Sequence, residues 1–481
     1  MNKSLSRFAW LLGLALVSRL AAMVLLPLMD TSEPRYAEIA RIMAETGDWI
    51  TPYFDYGVPF WGKPPLSFWS QALSFKLLGV GEFPARLPSL LATLGILWLV
   101  FSGTRALAGR QTAWLAVTIY GTSALGFVAA GAVLTDPFLT FGTTLTLVAA
   151  LRIGLSGGPS PLWGYLLFAG LGIGLLAKGP LAPVLALVPL GTWLYLEPSG
   201  RIRHIPWVGG TLLALAISLP WYIAAELKTP GFLEYFIVGE HFLRFVDSGW
   251  NGDLYGSAHR AALGTIWWYA VQATFPWGLA AAALFVAAVR RRGWHFPRPE
   301  SWRGLLLAGC LWPLVFFTFA GNILWTYVQP ALPPFAMLLA MALQKSDSRW
   351  SRRAVVACAG LMPVVILAFT LVVHYRPGSA KTEKQLVEFT RKSGGAQAEL
   401  LYLGDRPFSA RFYSAGSAKS VDRGELDKLL GDRLARNFYL AVPKERIDSI
   451  PAPPAGHLQE LFTNRRYALF QASRKPGADA L

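Results

Sequence analysis

Charge is scarce in this chain. Only 15% of its 481 residues are Asp, Glu, Lys or Arg, 54% are hydrophobic and the mean hydropathy is +0.41. An ordinary soluble domain carries about 25% charged residues. The length would suffice for about three such domains, but the charge to cover their surfaces is missing. A conventional soluble enzyme and a disordered chain are both excluded. Cysteine is nearly absent: Cys310 and Cys358 each lie in an apolar run, too few for a disulfide framework and badly placed for a zinc cluster. Acids are the scarcer charge, 28 against 44 basic residues, for a net +16. No basic helix interleaved with aromatics accompanies that excess, so nucleic acid is excluded as a partner. Lys and Arg retained in cytoplasmic loops produce the same imbalance. There is no GxxxxGK[ST] to suggest an ATP-driven pump. What the chain does have is long apolar runs and 19 tryptophans, which suit two lipid–water interfaces. It reads as an integral membrane protein.

Runs near 20 apolar residues mark membrane spans. They fall at 8–28, 84–103, 112–130, 137–155, 162–177, 180–196, 206–225, 264–289, 302–320, 325–343 and 354–374, which predicts 11–13 transmembrane helices. The first follows Lys3 and Arg7 without a clear cleavage site and is expected to be a retained anchor. Arg105 and Arg110, Arg152, Arg201 and Arg203, the run Arg290–Arg292 with Arg298 and Arg303, and Lys345 with Arg349, Arg352 and Arg353 occupy alternate loops, on the side of the N-terminus. By the positive-inside rule that side is cytoplasmic, and an odd number of spans puts the segment after 375 outside.

Three stretches lie on the far side. The loop 29–83 holds two helical patterns, one from Glu33 with Pro34 near its start and one over Leu66–Leu78. The loop 227–263 carries Glu240, His241, Arg244, Asp247 and His259. Residues 376–481 are polar and alternate helical patterns (383–391, 408–413, 425–435) with strands (399–403, 438–442, 467–471), a small soluble α/β domain. The expected domains are therefore 1–375, polytopic and membrane-embedded, and 376–481, extracytoplasmic.

The far-side loops and span ends hold a recurrent set of charges: Asp30, Glu33 and Arg35, Lys63, Asp136, Lys178, and Glu240 with His241. Charge at membrane depth is costly and by default marks function. A lipid-borne phosphate sits at that depth, and Lys and Arg bind phosphate, Arg through a bidentate fork. A carboxylate in a partly desolvated groove serves as a general base. With a sugar on the lipid phosphate, the reaction is glycosyl transfer, the cations stabilising the departing phosphate. A lipid or sugar transporter is the rival, but it calls for charge along the whole membrane path. Arg19, one third of the way into the first span, either reaches a lipid phosphate or pairs inside the bundle.

The segment Asp30-Thr31-Ser32-Glu33-Pro34-Arg35-Tyr36-Ala37-Glu38-Ile39-Ala40, with Gly47-Asp48-Trp49 and Gly62-Lys63-Pro64-Pro65 after it, resembles the family 39/83 glycosyltransferases. That group has the GT-C fold and includes the lipid A aminoarabinose transferases and the protein O-mannosyltransferases. The resemblance runs on through Leu134-Thr135-Asp136-Pro137, Ala177-Lys178-Gly179-Pro180, Pro220-Trp221-Tyr222, Gly239-Glu240-His241-Phe242-Leu243-Arg244-Phe245 and Trp325-Thr326-Tyr327-Val328-Gln329-Pro330. Ordered matches cover most of residues 10–345; the tail matches in architecture only.

The resemblance implies a polytopic α-helical GT-C enzyme of a bacterial inner membrane, N-terminus cytoplasmic and C-terminal domain periplasmic. It would pass a sugar from undecaprenyl phosphate, with inversion, to lipid A, another envelope glycolipid or polysaccharide, or a protein. Its partners are the lipid-linked donor, a lipid or glycan acceptor and membrane lipids. Members often have Asp-Glu before Arg-Tyr where this chain has Ser32-Glu33, so the catalytic acid is Glu33 or, three residues earlier, Asp30, with Glu33 favoured. Asp136 matches the second-loop acid. Lys63, Arg35, Lys178 and Tyr327 match donor-phosphate positions. No cofactor is required. A zinc ion in some members would use a glutamate that Gly62 replaces here, which leaves Glu240 and His241 as weak metal candidates.

Overall fold

The computed structural model describes residues 3–156, 158–197, 201–247, 250–256, 260–292, 300–345, 349–395, 398–431, 438–450 and 456–474. His259, Arg298 and residues 432–435 of the expected tail helix lie outside the described residues.

The elements run in chain order as α1 Lys3–Leu25, α2 Ser32–Thr46, β1 Tyr53–Asp55, β2 Val58–Pro59, α3 Leu66–Leu78, α4 Glu82–Thr122, α5 Ala124–Ala129, α6 Asp136–Leu155, α7 Pro161–Lys178, α8 Leu181–Leu196 and α9 Trp207–Lys228. A π-helix Glu234–Leu243 leads into α10 Arg244–Val246. Then come α11 Thr265–Thr274, α12 Trp277–Arg292, α13 Ser301–Thr318, a 3-10 turn Trp325–Ala331, α14 Leu332–Gln344 and α15 Arg349–Tyr375. The tail holds α16 Lys384–Gly394, β3 Leu400–Leu403, α17 Phe408–Tyr413, β4 Lys419–Val421, α18 Arg423–Gly431, β5 Phe438–Pro443, β6 Gly456–Thr463 and β7 Tyr467–Arg474.

Every expected apolar run coincides with helix. Among the described residues eight helices are long and apolar enough to cross a membrane, and nine if α11 and α12, bent by 105° at Pro276, form one span. The 41-residue α4 carries two of the expected runs, separated where the helical conformation breaks at Gly109. The apolar α8 is shorter, at 16 residues. The chain is a multi-pass helical membrane protein with a small sheet domain at its end.

Two compact units emerge. One comprises 1–23 with 42–368, the other 24–41 with 369–481. The second unit takes up the chain close to the expected boundary at 375, and it also contains the start of the first far-side loop.

In the first unit α6 and α7 cross closely. A Cβ on Gly142 would lie 2.6 Å from the Gly170 carbonyl oxygen, and one on Gly170 equally close to that of Gly142. Small residues let membrane helices approach in this way. Both helices start at proline-compatible first turns, Asp136-Pro137 and Pro161. In the second unit the sheet order is β4-β3-β5-β7-β6, with β3 parallel to β4 and β5 and the remaining pairs antiparallel. The run Leu400–Leu403 is buried at all four positions, as a central parallel strand must be. The strands β4 and β6 were not among the sequence expectations. Both are edge strands, and the short β4 (Lys-Ser-Val) carries no hydrophobic signature.

Candidate functional site

Asp136 is the first residue of α6 and Lys178 the last of α7. Helix starts favour acids and helix ends favour bases, so two antiparallel neighbours bring the pair together. Lys178 Nζ donates to Asp136 Oδ1 at 2.6 Å, with both side chains buried. The same ammonium lies 4.7 Å from the centre of the Tyr327 ring, a cation–π contact. After Lys178 the chain turns at Gly179, whose φ of +64° suits glycine and whose missing Cβ leaves room for Phe236, 2.6 Å from where that atom would be.

Phe236 belongs to the π-helix, in which residues five apart line up. Tyr235 therefore donates its hydroxyl to Glu240 Oε1 at 3.3 Å, and the Phe236 carbonyl meets His241 Nδ1 at 2.7 Å. His241 Nε2 contacts the Lys178 carbonyl at 3.1 Å. Glu240 also accepts from Lys63 Nζ at 3.3 Å and from Arg244 at 2.9 and 3.1 Å. Burial pushes the Glu240 carboxyl upward, but the Lys63 and Arg244 charges prevail and hold it below the usual range. Burial, helped by the Lys63 charge, holds His241 below the usual imidazole range against the opposing effect of its two carbonyl contacts. Asn322 donates to the carbonyls of Arg244 and Asp247, each at 2.9 Å, and anchors the end of this segment.

These groups line one pocket of about 150 Å³. Lys63, Lys178, Arg244 and Tyr327 face it together with Glu240, and Val184 and Phe316 are among its apolar walls. Three cations against one lining carboxylate suit an anion, and the apolar walls suit a lipid that carries it. Lys63, Lys178, Tyr327, Glu240 and His241, all expected from sequence, meet here, with Asp136 behind Lys178. Arg244 was named among the loop charges but given no role, and Asn322 was not named. Arg244 lies four residues after Glu240 in the matched motif, a spacing that puts an acid and a base together on a helix; Asn322 left no signal. Arg19 is buried, donates to the Val128 carbonyl at 3.0 Å and approaches the Phe127 ring, which is the bundle alternative.

The first-loop residues belong to the second unit. The two Asp30 carboxylate oxygens accept from the Ser409 N–H at 2.8 Å, the Ser409 hydroxyl at 2.6 Å and Arg466 at 2.5 Å. Glu33 sits in the first turn of α2 and accepts from the Met29 N–H at 3.5 Å. The Arg35 guanidinium stands over the rings of Tyr36 and Phe408 at 5.0 and 5.6 Å. Further along, Arg41 and Glu38 form a buried two-pronged pair at 2.7 and 2.8 Å.

The residues present do not fit a zinc ion. Among the described residues no three His, Cys, Asp or Glu side chains converge on a metal-sized centre. Both ring nitrogens of His241 face carbonyl oxygens, and Glu240 faces cations. A metal there would displace contacts already made.

Residues 8–236 match the family model for dolichyl-phosphate-mannose-protein mannosyltransferase. The undecaprenyl phosphate-alpha-4-amino-4-deoxy-L-arabinose arabinosyl transferase of Aeromonas hydrophila is 31% identical over 369 residues, 74% of this chain and 63% of that protein. Its counterpart in Pectobacterium carotovorum is 33% identical over 337 residues, 66% of this chain and 57% of the relative. The chain thus spans less than two thirds of the length of these curated relatives. The crystal structure of ArnT from Cupriavidus metallidurans bound to undecaprenyl phosphate superposes with a TM-score of 0.77 at 18% identity, over 96% of this chain and 97% of that one. At that identity the likeness is one of fold, and the fold is the GT-C fold expected from the sequence.

Proposed function

We propose that this protein is an inverting glycosyltransferase that takes a sugar from a polyprenyl phosphate. The observation that carries the reading is the convergence of Lys63, Lys178 and Arg244, with Tyr327, on one apolar-walled pocket at a set of helix ends. The names of the arabinosyl transferase relatives, and the undecaprenyl phosphate bound by the structural neighbour, support the same donor class.

In this reading the acceptor oxygen attacks the anomeric carbon from the side opposite the phosphate. The carbon–oxygen bond to phosphate breaks, and its electron pair leaves with the phosphate, where the three cations stabilise it. Asp136 aims Lys178. Glu240 aims Lys63 and Arg244. With a hydroxyl acceptor, Glu33 takes the released proton; with a phosphate acceptor no base is needed and Glu33 orients the group. Asp30, whose oxygens are already engaged, is not assigned proton transfer.

The expected setting is the bacterial inner membrane, with the N-terminus cytoplasmic and the tail domain periplasmic. Lipid A or another envelope glycolipid or polysaccharide is the acceptor that the sequence resemblance favours. The match of residues 8–236 to protein mannosyltransferases supports a protein acceptor as the second reading.

Mass spectrometry of lipid A, O-antigen and envelope proteins with and without the gene tests this. A mass increment lost on deletion, restored by the wild-type chain and not by E33Q or K63A inserted at equal levels, is the expected result. Full restoration by both variants would sink the assignment.

A further inference from the structure

In the tail sheet, β3 lies between β4 and β5 and is parallel to both. The chain leaves β3 for β4 on one side, then returns past it to β5 on the other. Such a reversal opens a crevice beyond the carboxyl ends of the strands, which is where open α/β sheets hold their ligands. Three groups of this unit meet there. Ser409 lies in the first turn of α17, after β3. Arg466 precedes Tyr467, which pairs with Pro443 at the carboxyl end of β5. Glu383 stands at the entrance to α16.

The occupant of this crevice is a residue of the same chain, Asp30. Its carboxylate takes all three donors described above, and its backbone N–H donates to the Lys381 carbonyl at 2.9 Å. Glu383 completes the cluster. It accepts from Arg466 at 2.7 and 2.9 Å and from Asn464 at 2.7 Å, while its own N–H donates to the Ser409 hydroxyl at 3.0 Å. The Asp30 and Glu383 side chains are 2% and 0% exposed. Two residues upstream, the Leu28 N–H donates to the Tyr413 hydroxyl at 2.7 Å, and five downstream Arg35 stands over Phe408. The segment is gripped on both sides of Asp30, and Glu33 lies within the grip.

A purely architectural contact needs no such arrangement. Two carboxylates and a guanidinium in a buried site are costly, and apolar packing often serves stability as well. What buried charge adds is a defined register.

We propose that the tail domain acts as an internal receptor for the first far-side segment. Arg466, Ser409 and Glu383 hold Asp30 and thereby set the positions of Glu33 and Arg35, with Arg466 the positioning residue. The inference rests on the glycosyltransferase reading for its effect on turnover, and on the grip itself for its effect on the segment.

The test uses the full chain in lipid nanodiscs, a synthetic undecaprenyl-phosphate-aminoarabinose donor and lipid A. R466M and D30N are each expected to lower kcat by about tenfold or more, a rise of at least ~1.4 kcal/mol in the barrier. KM for the donor stays within about twofold, because the donor pocket is untouched. The D30N/R466M double variant loses no more than the worse single one, since both cut the same contact. R466K recovers part of the rate. Amide exchange over residues 30–41 accelerates in R466M and D30N. Should R466M not fold, S409A, which removes one hydroxyl donor, carries the same expectation at smaller size.

Unchanged exchange over 30–41 overturns the proposal, and so does faster exchange with wild-type kcat. If the wild-type chain transfers nothing from this donor, the functional reading falls by itself. The receptor is then judged on exchange alone: acceleration confined to 30–41 supports it, and unchanged protection overturns it.

Discussion

Lys178 closes one helix and Asp136 opens another, and their side chains meet at 2.6 Å with almost no solvent. Among the described residues neither charge has another ionic partner, so each depends on the other. Removing one member of a buried pair leaves an uncompensated charge, at a cost of about 3–5 kcal/mol. D136N and K178M are therefore each expected to lower the melting temperature of the detergent-solubilised protein markedly. The D136N/K178M double variant should regain much of the stability while failing to bind undecaprenyl phosphate. Donor binding retained in the double variant would remove Lys178 from the phosphate site.

Gly179 is the second point of mechanical sensitivity. G179A forces an alanine into the left-handed region, at a cost of ~1–2 kcal/mol, and points its Cβ at the Phe236 ring. The π-helix carrying Glu240 and His241 must then shift. Loss of stability together with weaker donor binding is expected in a thermal-shift assay titrated with undecaprenyl phosphate. Unaltered donor affinity in G179A would mean that the turn does not set the pocket.

Metal dependence is testable without reference to any particular acceptor. With His241 engaged by two carbonyls and Glu240 by Lys63 and Arg244, EDTA treatment should leave transfer unaltered, and elemental analysis of purified protein should find zinc well below one equivalent. Stoichiometric zinc whose removal abolishes transfer would contradict this.

The tail cluster predicts a pH dependence. Burial raises the Glu383 carboxyl from its ordinary value near 4.5 to about 7, opposed by Arg466 and Asn464 and reinforced by Asp30. Tyr402 and Tyr467 are the other titratable groups facing it, and both are pushed upward, first by burial and then by Glu383. Because the folded value lies above the unfolded one, the folded state binds the proton more tightly between them. The stabilisation from this group is complete below about pH 4.5 and fades as the pH rises through about 7. Amide exchange at 381–386 and 464–468 should thus indicate a looser cluster at pH 8 than at pH 5, after correction for intrinsic exchange, and E383Q should flatten the difference. A cluster that tightens with rising pH would reverse the assignment.

Much of the architecture was legible because membrane burial writes itself as continuous apolar composition. All eleven expected runs are helical, and three tail strands fall at the expected positions. The breaks inside α4 and between α11 and α12 are local, at Gly109 and Pro276, and alter how spans are counted rather than where they are. The π-helix had no such signature, since its winding depends on the contacts of Tyr235, Phe236, Glu240 and His241 and not on any period in the residues.

The site divides in the same way. Scarce charge at span ends was enough to single out Lys63, Asp136, Lys178, Glu240 and His241, because an ionised group at membrane depth demands a reason. Which charge answers which is a matter of three-dimensional placement. Tertiary structure alone pairs Lys178 with Asp136 across a separation of 42 positions, brings Arg244 and Asn322 to the pocket, and gives Asp30 to Arg466 across 436. Composition determined that this chain lives in a membrane and keeps a few costly charges. The fold decided which partner each one meets, because the partner of a buried charge is fixed by packing rather than by position in the chain.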